Sequence, residues 1–155
     1  DELREHFSGL WHQIAEQDYN DLTKATRWVM QLPSFNMQTD PTIVYVGATG
    51  KREDHTLSNI SLMAYYLDEL LLNPVMVTDY GWFVAIHGDA TVETFARQQV
   101  SIFNFSCTRL QATGLRWKPW AFEQLWQGSL NEALASEVKF LADGTYLVYR
   151  TFDKK

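Results

Sequence analysis

The sequence predicts an α/β plus all-β chain, in which a parallel strand, helix, strand unit is followed by a region of short strands. Three observations carry this reading. Thr42-Ile43-Val44-Tyr45-Val46 is a continuous β-favouring run, as expected of a parallel strand covered on both faces. It leads through Gly47-Ala48-Thr49-Gly50 into a long helical pattern and then into a second β run, Val75-Met76-Val77-Thr78, completing a right-handed βαβ crossover. From Asp79-Tyr80-Gly81 onward, helical periods give way to short alternating or aromatic runs separated by Gly, Asp and Asn.

The elements follow in order. Residues 1–7 place Leu3 and Phe7 four apart between charges, a short helix that Ser8-Gly9 ends. In Leu10 to Ala15, Trp11 and Ile14 favour a short strand over a resumed helix. Asp18, Asn20 and Asp21 suit a helix start; Leu22, Ala25, Thr26, Val29 and Met30 supply its apolar face, and Pro33 stops it. The helix after the glycine loop carries Leu57, Ile60, Met63, Tyr66, Leu67 and Leu70, and closes at Asn73-Pro74. Six strands are expected beyond it: Trp82 to Ile86, Val92 to Phe95, Val100 to Phe105, Thr108 to Ala112, Glu137 to Leu141 and Thr145 to Phe152. A small β-sandwich is their natural closure.

Composition bounds what such a chain does. With 155 residues, 46% of them hydrophobic, it buries a core as one large or two small domains, and whole-chain disorder is excluded. Thirteen basic against nineteen acidic side chains give a net charge of -6, which disfavours nucleic acid as a partner. The longest run without Asp, Glu, Lys or Arg, His55 to Leu67, is too short and polar to cross a bilayer, so no membrane partner is expected. The first residues carry no apolar secretory stretch and the single Cys107 has no disulfide partner within the chain, which favours a reduced, cytoplasmic setting. The chain opens on Asp1 in a charged segment, and an upstream portion is expected.

Two clusters in the α/β part could carry chemistry, because ligands of parallel sheets sit beyond the carboxyl ends of the strands. Gln17-Asp18-Tyr19-Asn20-Asp21 with Lys24 puts two carboxylates at a helix start and a lysine one turn in. Carboxylates suit Mg²⁺ and a lysine balances phosphate charge. The alternative is that Asp18 or Asp21 caps the helix and Lys24 makes a surface pair. The second cluster, Gly47-Ala48-Thr49-Gly50-Lys51-Arg52-Glu53-Asp54-His55, opens a helix whose free N–H groups favour an anion such as phosphate, with Arg52 as a bidentate clamp. Asp54 would repel that anion unless a divalent metal lies between, which points to Mg-nucleotide chemistry; an ordinary glycine turn is the alternative. His55 is a proton acceptor or simply a helix-start residue, with the latter favoured. His6, His12, His55 and His87 lack zinc spacing. In the β region, Thr113-Gly114-Leu115-Arg116-Trp117 offers either a stacking platform for a flat ligand or a core Trp.

Taken in order, EQDYNDLTKA (16–25), GATGKREDHTLSN (47–59), TGLRW (113–117) and SLNEA (129–133) resemble the motifs of the thiamine pyrophosphokinase family. These are Asp-Gln-Asp-x-Thr-Asp, Gly-Ala-Thr-Gly-Gly-Arg-x-Asp-His with Asn four residues on, Gly-Leu-Lys-Trp, and Ser-Asn-Glu. The resemblance implies a partial Rossmann-like parallel α/β nucleotide-binding domain at 1–78, with its N-terminal part absent, and a thiamine-binding β-sandwich domain at 79–155. It implies transfer of pyrophosphate from ATP to thiamine, with Mg²⁺. By position Asp21 and Asp54 match the catalytic, metal-binding carboxylates; Gln17, Asp18, Lys24, Gly47, Thr49, Gly50 and Arg52 fall to ATP, and Trp117 with Asp54 to thiamine. A two-fold homodimer is implied, with Trp117 working in trans with Asp54. Glu16, Asn20, Lys51 and Leu130 depart from the pattern. The family's Gly-Asp-x-Asp-Ser motif would precede Asp1, so the 155-residue chain alone is expected to be inactive. A related transferase acting on another alcohol, and a non-catalytic binding or oligomerisation module, are the rival expectations.

Overall fold

The computed structural model describes residues 5–6, 8–9, 12–39 and 41–154. The chain divides into two compact units, 1–35 and 36–155.

In the first unit, helix α1 spans Asp21–Met30. Its cap is Asn20, whose side chain accepts the Thr23 N–H at 2.9 Å and so satisfies one of the orphan donors of the first turn. Thr23 and Thr26 are its buried residues, while Ala25 is exposed, so the buried stripe differs from the expected apolar face. Thr26 fits a buried position because its Oγ1 donates to Leu22 O at 2.7 Å. The expected strand over 10–15 is absent from its described part: residues 12–15 form no regular element, and 10–11 lie outside the described residues. Of the expected first helix over 1–7 only residues 5–6 are described, and they are helical; the rest lies outside the described residues.

The second unit is built on two sheets. Strands β1 (Thr42–Val46), β2 (Asn73–Val77), β3 (Gly81–His87), β9 (Thr145–Lys154), β5 (Gln98–Asn104) and β7 (Asn131–Glu132) hydrogen-bond in that order. Strands β4 (Ala90–Glu93), β8 (Glu137–Ala142) and β6 (Leu110–Thr113) form the second sheet. Only β1 and β2 are parallel, in the register Val44 to Val75; every other pair is antiparallel. The two β runs of the crossover thus belong to the same sheet as the strands that follow. The inner faces share one core, with Val92, Leu110, Val138 and Phe140 from one sheet and Val100, Ile102, Tyr146 and Val148 from the other.

Helix α2 (Glu53–Asp68) connects β1 to β2 and buries Met63, Ala64 and Tyr66. Tyr66 stacks on Tyr45 with centroids 5.6 Å apart. The helix ends five residues before the expected stop, because Leu71 takes a left-handed φ of 55° and Leu72 N–H closes onto Tyr66 O at 3.0 Å. Asn73-Pro74 therefore begin β2 instead of ending the helix. Strand β1 is covered on one face only: Tyr45 is buried, but Val44 and Val46 are exposed, contrary to the expected two-sided burial. The short β7 and a 3₁₀ turn at Leu125–Gly128 have no counterpart in the sequence reading.

Gly81, opposite Thr151 in the β3–β9 ladder, is required by close approach: a Cβ there would lie 2.0 Å from Arg150 O. Gly81→Ala should cost ~1–3 kcal/mol, the range for overpacking a filled site, read as a lower urea midpoint at unchanged slope.

Candidate active site

In the first unit, the segment before α1 is shaped by Glu16, whose Oε2 accepts the N–H groups of Asp18 at 2.7 Å and Tyr19 at 3.2 Å. Neither Asp18 nor Asp21 caps the helix, since Asn20 does. Lys24 Nζ lies 3.7 Å from Asp21 Oδ1; the Asp21 side chain is fully exposed and that of Lys24 only 11% exposed. A buried aliphatic stem with an amine at the rim is how a lysine presents a fixed charge. Lys24 borders two adjoining cavities, about 350 Å³ with His12, Asp21 and Trp28, and about 410 Å³ with Asp18, Tyr19 and Arg27. Gln17 lines neither, and its amide donates to Ala15 O at 3.4 Å.

In the second unit, the loop from Gly47 to Gly50 leaves the carboxyl end of β1, and α2 begins at Glu53. Gly47 and Gly50 take φ of 72° and 89°, a backbone that a side chain resists. Gly47, Thr49, Arg52, His55 and Asn59 border a cavity of about 280 Å³. Asn59 Nδ2 donates to Ala48 O at 2.8 Å and ties the loop to the second turn of the helix. Arg52 stands at the cap position of α2 without a side-chain capping bond, at the helix end favoured by anions.

The Arg52 guanidinium instead forks onto Asp54, with Nε 3.1 Å from Oδ1 and Nη2 2.6 Å from Oδ2. That pair holds the Asp54 carboxyl below the usual carboxylate range. Each Asp54 oxygen keeps a second lone pair, so the carboxylate stays an available ligand.

Asp79, which the sequence reading used only to mark where the β-rich region begins, follows β2 at the same end of the sheet. A Cβ on Gly50 would lie 3.7 Å from its Oδ2. The signal that finds it is position, an acid at the carboxyl end of a strand parallel to the one that feeds the loop. Among the described residues, no three His, Cys, Asp or Glu side chains gather into a metal-binding group, and no helix is long and apolar enough to cross a membrane.

Trp117 is 54% exposed and borders a cavity of about 310 Å³ with Trp120, Phe122, Leu130 and Asn131. It is an exposed aromatic surface and not a core residue. The Arg116 guanidinium stands 5.8 Å from its ring centroid. Leu130 holds a left-handed φ of 65°, where a leucine is strained. The Trp117 cavity and the glycine-loop cavity share no lining residue.

The chain matches two descriptions in order: "Thiamin pyrophosphokinase, catalytic domain" at residues 1–71 and "Thiamin pyrophosphokinase, substrate-binding domain" at 81–149. It is 32% identical over 66 residues to Thiamin pyrophosphokinase 1 of Caenorhabditis elegans, covering 43% of this chain and 26% of the nematode protein. The crystal structure of Thiamin pyrophosphokinase from Geobacillus thermodenitrificans superposes with a TM-score of 0.72 at 25% identity, over 98% of this chain and 70% of that one. The Bacillus subtilis Thiamine pyrophosphokinase structure shares the fold, with a TM-score of 0.71 at 21% identity over 89% of this chain and 65% of that one. The chain thus spans about a quarter of the nematode protein and just under two thirds of the Bacillus subtilis one.

Removing the guanidinium should release Asp54. In Arg52→Gln the Asp54 carboxyl should titrate at higher pH, followed by its side-chain carbon shift. A depressed folded-state pKa contributes stability above the unfolded carboxylate range that is lost as pH falls through the folded value, so the variant should lose that acid dependence.

Proposed function

This chain belongs to the thiamin pyrophosphokinase family, and we propose that the whole protein transfers the terminal pyrophosphoryl unit of ATP to the hydroxyethyl oxygen of thiamine, giving thiamine diphosphate and AMP. The observation that supports this most is the succession of both family domains, in order, along one chain. We read residues 1–78 as the ATP-binding part, a partial Rossmann-like parallel layer of which β1, α2 and β2 are one crossover, and 79–155 as the thiamine-binding part.

Transfer of a phosphoryl group is mostly positioning and charge compensation. The glycine loop with Thr49 and the start of α2 would receive phosphate oxygens, Arg52 would add a forked cation, and Lys24 a fixed positive charge, with Gln17 and Asp18 contributing to the nucleotide side. Asp21 and Asp54 are the carboxylates we assign to Mg²⁺, each a hard oxygen donor of the kind that ion takes when phosphates supply its other ligands. That ion supplies neutralisation of the phosphate charge. Trp117 offers its open face to the rings of thiamine, a cation that an indole attracts beyond simple burial.

A homodimer completes the proposal, with Trp117 of one subunit and Asp54 of the other serving one site. The single Cys107, buried where desolvation raises its thiol pKa, supports a reducing, cytoplasmic setting.

Steady-state kinetics of the full-length protein test the assignment. Trp117→Ala should raise the KM for thiamine about tenfold, equivalent to ~1.4 kcal/mol, and leave the KM for ATP unchanged. Asp54→Asn should lower kcat on the order of a hundredfold, the scale of losing one transition-state electrostatic group. A thiamine KM indifferent to Trp117 would assign the stacking pocket to another ligand.

A further inference from the structure

Asn131 carries on with its side chain a ladder that backbone pairing leaves off before Trp117. Asn131 stands opposite Val100 in the β5–β7 register, and Ala133 N–H donates to Gln98 O at 2.9 Å. On the other side, Arg116 N–H donates to Glu132 O at 2.9 Å and Leu134 N–H to Gly114 O at 2.8 Å. The ladder between 114–116 and 132–134 stops there. At Trp117 it is continued by a side chain, since Asn131 Oδ1 accepts the Trp117 N–H at 3.1 Å and Asn131 Nδ2 donates to the Trp117 carbonyl at 2.7 Å. Oδ1 also accepts the Glu132 N–H at 2.8 Å, which fixes the amide with its acceptor toward N–H groups and its donor toward the carbonyl. Asn131 is 8% exposed, so these bonds form away from water, where an unmade bond is costly.

We infer that Asn131 is the positioning residue of the thiamine pocket, holding both backbone groups of Trp117 so that the indole face is already in place when the acceptor arrives. The inference rests on the functional reading above. Asn131 bonds the backbone of Trp117, and its effect passes through the tryptophan. A Trp117 whose backbone is unclamped must be ordered at the moment of binding, and that cost weakens acceptor affinity without altering the transfer step. The ion pair of Arg116 and Glu132, 3.2 Å apart, braces the same junction from the adjacent residues.

The test uses the full-length protein with Mg-ATP and thiamine. Asn131→Ala removes both bonds; Asn131→Asp keeps the shape and the acceptor but sets an oxygen against the Trp117 carbonyl, and serves if the alanine variant does not fold. Each should raise the thiamine KM several-fold, up to the roughly tenfold expected for losing Trp117 itself, with kcat and the ATP KM within about twofold. In a Trp117→Ala background, Asn131→Ala should add nothing further to the thiamine KM, as expected of residues acting as one unit. A merely structural Asn131 would lower kcat through loss of folded enzyme at unchanged thiamine KM, and that result, or additivity with Trp117→Ala, overturns the inference. Thiamine diphosphate formation by the unsubstituted protein separates the two levels: without it the functional reading falls and takes the inference with it, whereas with it an unchanged thiamine KM in the Asn131 variants overturns the inference alone.

Discussion

Strand β2 is the seam on which the second unit depends. It pairs in parallel with β1 on one side and antiparallel with β3 on the other, with Met76 between Tyr45 and Phe83. The parallel side requires a crossover, which α2 supplies, and brings the glycine loop and Asp79 to one end of the sheet. The antiparallel side hands the chain to β3, β9 and β5, whose inner faces pack on the smaller sheet. A break at β2 would separate the loop from the framework that fixes it.

The chemistry is placed at the margins of this framework, where backbone groups and side chains are free to meet ligands. At the β1 end, two glycines in left-handed conformation, Asn59 on Ala48 and the start of α2, without a side-chain cap, form one rim. The Arg52–Asp54 fork sets a cation and an anion side by side on that rim, too exposed to add much stability. At the β5–β7 end, the Asn131 amide extends the ladder to an exposed Trp117.

The sequence made much of this legible, for physical reasons specific to each part. The β1–α2–β2 unit was readable because a β-branched run, a glycine loop and a helical period follow one another without interruption, and the parallel pairing follows from the crossover. The six later strands were readable from alternation, with ends displaced by a few residues. What escaped depends on contacts distant in sequence. The one-sided burial of β1 reflects what lies against each face, which no run of apolar residues reports. The early end of α2 turns on a left-handed Leu71 with no glycine to announce it. The strand expected before residue 16 rested on propensity alone, without pairing partners. Asn20 took the cap from two neighbouring aspartates that propensity ranks equally. Asp79 escaped because its significance lies in a Gly50 that only the fold brings near; Asn131 stood in the SLNEA block, without the bonds to Trp117 that only the fold supplies.

Phosphorus NMR of the full-length protein with Mg-ATP and thiamine tests most directly the proposal that this scaffold serves pyrophosphoryl transfer to thiamine. AMP and thiamine diphosphate should accumulate in equal amounts. ADP with a monophosphorylated acceptor would contradict the reaction assigned here, and unchanged ATP and thiamine would contradict the enzyme.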